Sequence, residues 1–239
     1  MTHTWTLARR ELTSLFYSPI AYVVLALFAL GSGLMFYVGF APGQHATMRT
    51  TYGGGVWLLV FLAPAISMRS ISEELSRGTI ERLATSPVND WQIVLGKWLA
   101  AWAFFAVLLL PLAVQALVLE LSAQPDWGPV LTGWVGLLLV GGLYLAIGVF
   151  ASAATQNQII AFLLAVFVIC AFTFLLYFLP EAAFIPTNAR SALYFANVNR
   201  QFEAFNKGLF DLRNLVYFAS VTAAFLFFAV KLLESRRWR

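Results

Sequence analysis

Charged residues are scarce in this sequence, and many of them lie in one segment between two apolar runs. They make up 11% of the 239 residues, whereas hydrophobic residues make up 61%. The segment from Ser67 to Lys97 nevertheless contains Arg69, Glu73, Glu74, Arg77, Glu81, Arg82, Asp90 and Lys97. Side chains of both signs at this density can bind a protein partner or the polar surface of a membrane. The rest of the chain decides where they lie.

The spacing within this segment predicts an amphipathic helix. One face is an i, i+4 line formed by Ile71, Leu75, Thr79 and Leu83. Two charge pairs have the same spacing, Glu73 with Arg77 and Arg77 with Glu81, and such pairs stabilise a helix. Pro87 ends the helix, because proline lacks the backbone N–H that a helix interior needs.

This helix has two interpretations: a helix that settles at the lipid headgroups, or a surface that docks a protein partner. A purely membrane-bound helix is expected to favour Lys and Arg on its polar face. Here the acids Glu73, Glu74, Glu81 and Asp90 accompany Arg77 and Arg82. The mixed charge favours a protein partner. The pattern places Gly78 in mid-helix, where glycine lowers helix stability by up to about 1 kcal/mol but would allow close approach or a bend.

The residues needed for common kinds of catalysis are missing. The chain has two histidines and one cysteine, and both histidines, His3 and His45, lie outside the predicted membrane spans. Serine hydrolysis within the membrane needs a base beside the nucleophile, and paired histidines for zinc or haem are also lacking. Gly96–Lys97 lacks the glycine loop and the following hydroxyl of a P-loop. We therefore expect no catalytic residue, no metal site and no cofactor in this chain, which predicts that it is not an enzyme.

The composition predicts a membrane protein. The mean hydropathy is +0.80, and soluble domains carry roughly a quarter charged residues. A membrane helix needs about 20 mostly apolar residues. Six runs qualify, with a capping pair, Asn89 and Gln92, at the opening of the third and a polar break after the fourth. The predicted spans cover about 20–40, 54–70, 98–119, 130–154, 159–179 and 215–230, in a single domain over residues 1–239.

The interiors of these spans indicate packing rather than ion transport. They contain no Asp, Glu, Lys, Arg or His, and carriers driven by ions or protons usually keep such groups within the membrane. The fourth span contains many small residues, which let helices approach closely in lipid. These are Gly133, Gly136, Gly141, Gly142, Ala146, Gly148 and Ser152. Secondary transport is therefore disfavoured.

The positions of Lys and Arg predict the orientation. With both termini in the cytoplasm, the segments on that side carry ten of these residues and the outer segments five, which is the bias that cytoplasmic loops have. The charged segment from Ser67 to Lys97 is then cytoplasmic. Because the basic residues flank apolar spans and form no stripe with interleaved aromatics, the net charge of +4 does not predict binding to nucleic acid.

Two further segments have amphipathic spacing. Before the first span, steps of three and four predict an interfacial helix rather than a disordered leader, formed by Trp5, Ala8, Leu12, Leu15 and Phe16. Before the last span, the same steps occur at Phe195, Val198, Phe202, Phe205, Leu209 and Leu212. This second segment is either one or two helices on or in the outer leaflet, or a small extracellular cap packed on the bundle.

The charged segment resembles a known family of transporter subunits. The pattern Glu74-x-x-x-Gly78-Thr79-x-Glu81-x-Leu83-x-x-x-Pro87, followed by Ile93-Val94-Leu95-Gly96-Lys97, is similar to the first cytoplasmic loop of type-2 ABC exporter permeases. Three other stretches resemble the gliding-motility type of these permeases. They are Ser18-Pro19-Ile20-Ala21-Tyr22, Ser152-x-x-Thr155-x-Asn157-Gln158 and Gly208-Leu209-Phe210-Asp211-Leu212-Arg213.

The resemblance implies an all-α membrane protein with six transmembrane helices. An N-terminal elbow helix, a cytoplasmic coupling helix and outer-leaflet helices before the last span would accompany them. In that family the coupling helix sits on a separate ATPase subunit, which binds ATP and Mg. The residues implied at this contact are Glu74, Arg77, Gly78, Thr79, Glu81, Arg82 and Pro87. A second, smaller cytoplasmic contact would comprise Thr155, Gln156, Asn157 and Gln158.

The resemblance also implies a function and partners. Two copies of the chain, or the chain and a close relative, would pair with two ATPases in the inner membrane. Closure of the ATPases would push on residues 74–82 and switch the dimer between inward- and outward-open states. The work done would be movement of an unidentified substrate, lipids included, or assembly of a surface machine. In the gliding type, an auxiliary membrane protein with a large outer domain often accompanies the pair.

A second hypothesis from a different class is a membrane scaffold that anchors a motility or envelope complex and transports nothing. It would share the docking helix but would need no path between the spans. The two hypotheses differ in one testable respect: only a transporter uses the turnover of a bound ATPase to move a substrate.

Overall fold

Apolar runs that must cross lipid fold as helices, because a helix satisfies its backbone N–H and C=O groups within one segment. The computed structural model describes residues 2–40, 47–78, 89–123, 125–181 and 186–237, and these ranges contain helices and no strand. The helices are α1 (Thr2–Tyr17), α2 (Pro19–Gly39), α3 (Arg49–Ser67), α4 (Ser72–Ser76), α5 (Asp90–Leu108), α6 (Leu110–Ser122), α7 (Trp127–Ala154), α8 (Gln158–Cys170), α9 (Thr187–Ala196), α10 (Val198–Asn206) and α11 (Leu212–Arg237). A π-helical turn at Ala171–Leu175 and short helical turns continue α8 to Glu181.

Six stretches are long and apolar enough to cross a membrane, which confirms the predicted count. They are Pro19–Gly39, Arg49–Ser76, Asp90–Ser122, Trp127–Ala154, Gln158–Glu181 and Leu212–Arg236. Several helices extend past the predicted ends. The third stretch begins at Asp90 because Asn89 and Gln92 form the predicted capping box, in which the Asn89 N–H donates to Gln92 Oε1 at 3.2 Å. The predicted capping pair is therefore confirmed.

The fourth span, α7, is the centre of the bundle. In the most apolar 18-residue stretch of this helix, 78% is buried inside the protein. The corresponding share is 22% in the first span and in the fifth span. Its small residues allow close packing, because a Cβ at Gly141 would overlap the ring of Phe105 and one at Gly133 would overlap the ring of Tyr52. The Tyr52 hydroxyl also donates to the Val130 carbonyl at 3.0 Å. The small residues of this span thus pack helices together, as their composition predicted.

The N-terminal segment is a helix, α1, as predicted, and it packs along α5. Ala8 is buried, Leu12 and Phe16 pack against the core, and Trp5 is 72% exposed. A Cβ at Gly96 of α5 would lie 3.1 Å from the Leu7 side chain. This close approach attaches α1 to the start of the third span.

The segment before the last span contains two helices, α9 and α10, which meet at Asn197. Val198, Phe202 and Phe205 of α10 are buried, and a Cβ at Gly136 of α7 would press on Phe202 and Phe205. Phe195, at the end of α9, is exposed. For α10, these contacts are those expected of a cap packed on the bundle.

Candidate functional site

The described part of the charged segment after α3, residues 68–78, is a tight turn followed by a short helix. Helix α3 ends at Ser67, and α4 covers only Ser72–Ser76. Gly78 follows with a φ of +65°, a left-handed conformation that glycine adopts without steric cost. The prediction that Gly78 lies in mid-helix is therefore wrong. The glycine ends the short helix and turns the chain instead.

Ser152 of the central helix α7 holds this turn in place. Its hydroxyl accepts hydrogen bonds from the backbone N–H groups of Ile71 and Ser72, both at 2.9 Å, and donates to the Met68 carbonyl at 2.9 Å. Ser152 and Ile71 are fully buried. A Cβ at the nearby Gly148 would overlap the Ser67 hydroxyl. The turn is thus fixed to the helix with the most buried surface.

Lys97, which lies on α5, joins the short helix α4 to the N-terminal helix α1. Its Nζ lies 2.8 Å from a carboxylate oxygen of Glu74 and 3.0 Å from one of Glu11. The lysine side chain is 2% exposed, and the two carboxylate side chains are 21% and 26% exposed. A buried lysine is stable only when it is paired, because its charge loses the solvation of water. The pairing connects α1, α4 and α5 through a single ammonium group.

A cavity of about 540 Å³ opens beside this ion-pair cluster. It lies between α1, the start of α5 and the segment from Arg69 to Arg77. Arg10 and Arg69 line it together with the acids of the cluster, so its wall carries both signs of charge. Two of the predicted contact residues, Glu74 and Arg77, line this cavity together with residues of α1.

The predicted contact residues have different surroundings. Arg77 is paired with Glu73 at 2.6 Å, as predicted, and 70% of its side chain is exposed. Gly78 is also exposed. Glu74 instead turns toward Lys97, so its carboxylate acts inside the protein. Thr79, Glu81, Arg82 and Pro87 lie outside the described residues.

The second predicted contact, Thr155 to Gln158, is the turn between α7 and α8. Two of its side chains shape the turn itself. The Asn157 side chain accepts from the Ile159 N–H at 2.8 Å and caps α8, and Thr155 accepts from the Asn157 N–H at 3.2 Å. Gln156 and Asn157 are exposed, and of the two only Asn157 is shown capping a helix.

Sequence patterns did not reveal the roles of Lys97, Glu11 and Ser152 as links between segments. Glu11 is 86 residues from Lys97 in the chain, and no spacing rule connects positions so far apart. The sequence contains only a weaker indication for Lys97 and Ser152. Lys97 was the sole cation between the capping pair and the apolar run, and Ser152 was one of the small residues of α7. Among the described residues, no group of three His, Cys, Asp or Glu side chains could hold a metal ion.

A bundle of six long apolar helices, with a charged turn fixed to its central helix, is the architecture of a multi-pass membrane protein. The chain belongs to the ABC-2 family of transporter proteins, because the model of that family matches residues 32–230. It is also similar to the probable ABC transporter permease protein NosY of Pseudomonas aeruginosa (strain PAO1), with 30% identity over 171 residues. The match covers 66% of this chain and 62% of NosY. This membership makes the chain a membrane-spanning protein of a transporter family.

Proposed function

We propose that the chain couples ATP hydrolysis by a separate ATPase subunit to movement of a substrate across the membrane. The observation that carries the proposal is the fixation of the turn at residues 68–72 to α7 by Ser152. An ATPase that pushes on Arg77 and Gly78 would displace a segment with little freedom of its own. The displacement would therefore pass to the central helix, which contacts most of the bundle.

The proposal assigns the ATP and Mg to the partner, since this sequence has no P-loop. Arg77 suits the contact because its guanidinium is largely exposed and five N–H donors make it a strong partner for carboxylates. Gly78 suits it because, among the described residues other than its chain neighbours, no heavy atom lies within 4 Å of where its Cβ would be, which leaves space for a partner on that side. The exposed Gln156 would supply the second, smaller contact.

The proposed arrangement places both termini and the charged segment in the cytoplasm and the chain in the inner membrane. The excess of Lys and Arg in these segments supports this orientation. Two copies of the chain would form the membrane unit. The outward side chains of α2 and α8 support a partner or lipid on those faces, since Leu30 is 67% and Phe167 72% exposed.

The first test is purification of the chain from its native membrane, with mass-spectrometric identification of bound proteins and lipids. We expect a P-loop ATPase to copurify, and its hydrolysis of ATP to change when lipids or other candidate substrates are added. Arg77→Ala should weaken this effect of the permease. Arg213→Ala is the control, because Arg213 is an exposed arginine at the other end of the bundle.

Two outcomes would contradict the proposal in different ways. If no P-loop ATPase is bound, the assignment of the partner is wrong. If an ATPase binds but its turnover moves no substrate, the chain is a scaffold. If complexes with Arg77→Ala and with Arg213→Ala hydrolyse ATP equally, the assignment of Arg77 to the contact is wrong.

A further inference from the structure

The cluster at Lys97 suggests a role for the N-terminal helix α1 beyond attachment to the membrane surface. Glu11 is the one acidic residue of α1, and its carboxylate contacts the same ammonium group that Glu74 contacts. The position of Lys97, one residue after the close contact of Gly96 with Leu7, places two attachments of α1 at one point on α5.

We propose that Lys97 is a positioning residue that makes α1 and the segment at residues 72–78 move together during the ATP-driven cycle. The proposal rests on the proposed function. In it, force applied at Arg77 and Gly78 has two routes into the membrane domain. One passes through Ser152 to α7, and the other passes through Glu74 and Lys97 to α5 and α1.

The burial and charge of the cluster support a rigid link. The Lys97 side chain is 2% exposed, and its two carboxylate partners come from different helices. Moving either carboxylate away would leave a buried ammonium group with one partner fewer, which is unfavourable in a medium of low polarity. A surface ion pair such as Glu203 with Lys207, whose side chains are 56% and 55% exposed, offers no comparable resistance because water replaces the lost partner.

The experiment measures distances between spin labels in the complete complex with its ATPase. Cys170, the single cysteine, is first replaced with alanine. Cysteines are then placed in pairs at Thr13 of α1, Ser76 of α4 and Leu121 at the far end of α6, which are all exposed. An excess of unlabelled chains ensures that each measured distance lies within one chain. Each pair is measured without nucleotide and with ATP trapped by vanadate.

We expect the distances from Thr13 and from Ser76 to Leu121 to change between the two states. The distance from Thr13 to Ser76 should change by less than about 2 Å, the size of a small helix shift at an interface. In Glu11→Gln, the motion of Ser76 should persist, whereas Thr13 should no longer follow it. Stimulation of ATP hydrolysis by the permease should fall about threefold or more in the same variant, as for side chains that carry coupling between sites.

Matched variants separate a role in motion from a role in folding. Arg9→Gln is the control for Glu11→Gln, because Arg9 is exposed on the same helix and does not line the cavity. Lys97→Arg should retain the linked motion, since arginine can pair with both carboxylates. If Lys97→Met does not assemble, Glu11→Gln still tests the link, because it leaves Lys97 paired with Glu74.

In the unmutated chain, the distance from Thr13 to Ser76 could change as much as the distance from Ser76 to Leu121. That result would overturn this inference and leave the proposed function standing. So would a Glu11→Gln variant in which Thr13 still follows Ser76. If ATP leaves all three distances unchanged, the proposed function fails, and this inference fails with it.

Discussion

The two ends of the bundle use different chemistry to attach loop segments to the central helices. At the end that carries α4, the attachment includes a buried cation with two carboxylates, Lys97 with Glu11 and Glu74. At the end that carries α9 and α10, two hydrogen bonds of buried side chains among the described residues join uncharged groups. The side chain of Asn197 donates to the Thr173 carbonyl at 3.2 Å, and the Tyr217 hydroxyl donates to the Ala196 carbonyl at 2.6 Å.

This difference indicates different roles for the two ends. Neutral hydrogen bonds within a buried network hold one geometry and respond little to charges brought near them. A charged cluster beside an open cavity of about 540 Å³ responds to any charged partner that approaches it. The charged end is therefore suited to receiving a signal from a partner, and the neutral end is suited to holding a fixed cap.

The largest effect on stability is expected from Lys97→Met. The variant leaves Glu11 and Glu74 without the ammonium group that both contact. Removing one partner of a buried ion pair costs about 3–5 kcal/mol. We expect the free energy of unfolding to fall by this amount, measured by thermal and denaturant unfolding in detergent micelles. Lys97→Arg should lose much less, and an equal loss in both variants would contradict the pairing.

A smaller effect is expected from Ser152→Ala, which affects the same end without removing a charge. The N–H groups of Ile71 and Ser72 lose their shared acceptor. A buried donor left without a partner costs about 1–3 kcal/mol. Unfolding measurements should give a loss in this range, and hydrogen exchange at the amides of Ile71 and Ser72 should accelerate.

Ser220→Ala is the control for this change, because Ser220 is exposed and its hydroxyl donates only to the Tyr217 carbonyl within α11. Faster exchange at Ile71 and Ser72 in both variants would show that the effect is not specific to the turn. Unchanged exchange in Ser152→Ala would contradict the role of Ser152 in holding it.

The parts of this structure that the sequence predicted depend on local patterns. Six spans follow from runs of apolar residues, and the start of α5 follows from Asn89 and Gln92, which are three residues apart. The pair of Glu73 with Arg77 follows from i, i+4 spacing. Each of these features involves residues close in the chain, whose geometry a regular helix determines.

The parts that the sequence did not predict depend on tertiary packing. Lys97 contacts Glu11 across 86 residues, and Ser152 contacts Ile71 across 81. The apolar periodicity predicts Gly78 in mid-helix, although its φ of +65° is incompatible with a helix interior. The local pattern does not distinguish a helix that stops at Ser76 from one that continues, because Ile71 and Leu75 lie on the same helix face in both cases.

The smallest effect, and the sharpest contrast between the two ends, is expected from Asn197→Ala. Its side chain accepts from the Arg200 N–H at 3.0 Å as the N-cap of α10 and donates to the Thr173 carbonyl. Loss of an N-cap costs about 0.5–2 kcal/mol. We expect the free energy of unfolding to fall within this range, and the loss to be the same at low and high salt, since no charge is removed.

If the two ends have the roles inferred for them, Asn197→Ala should leave the stimulation of ATP hydrolysis by the permease unchanged. Ser152→Ala should reduce it, although the expected ranges of stability loss for the two variants overlap. Both variants are therefore measured at a temperature at which each remains folded. Equal reductions in hydrolysis would mean that the neutral end also takes part in coupling. A cap held by uncharged hydrogen bonds would then move with the central helix α7, on which α10 packs through Phe202 and Phe205.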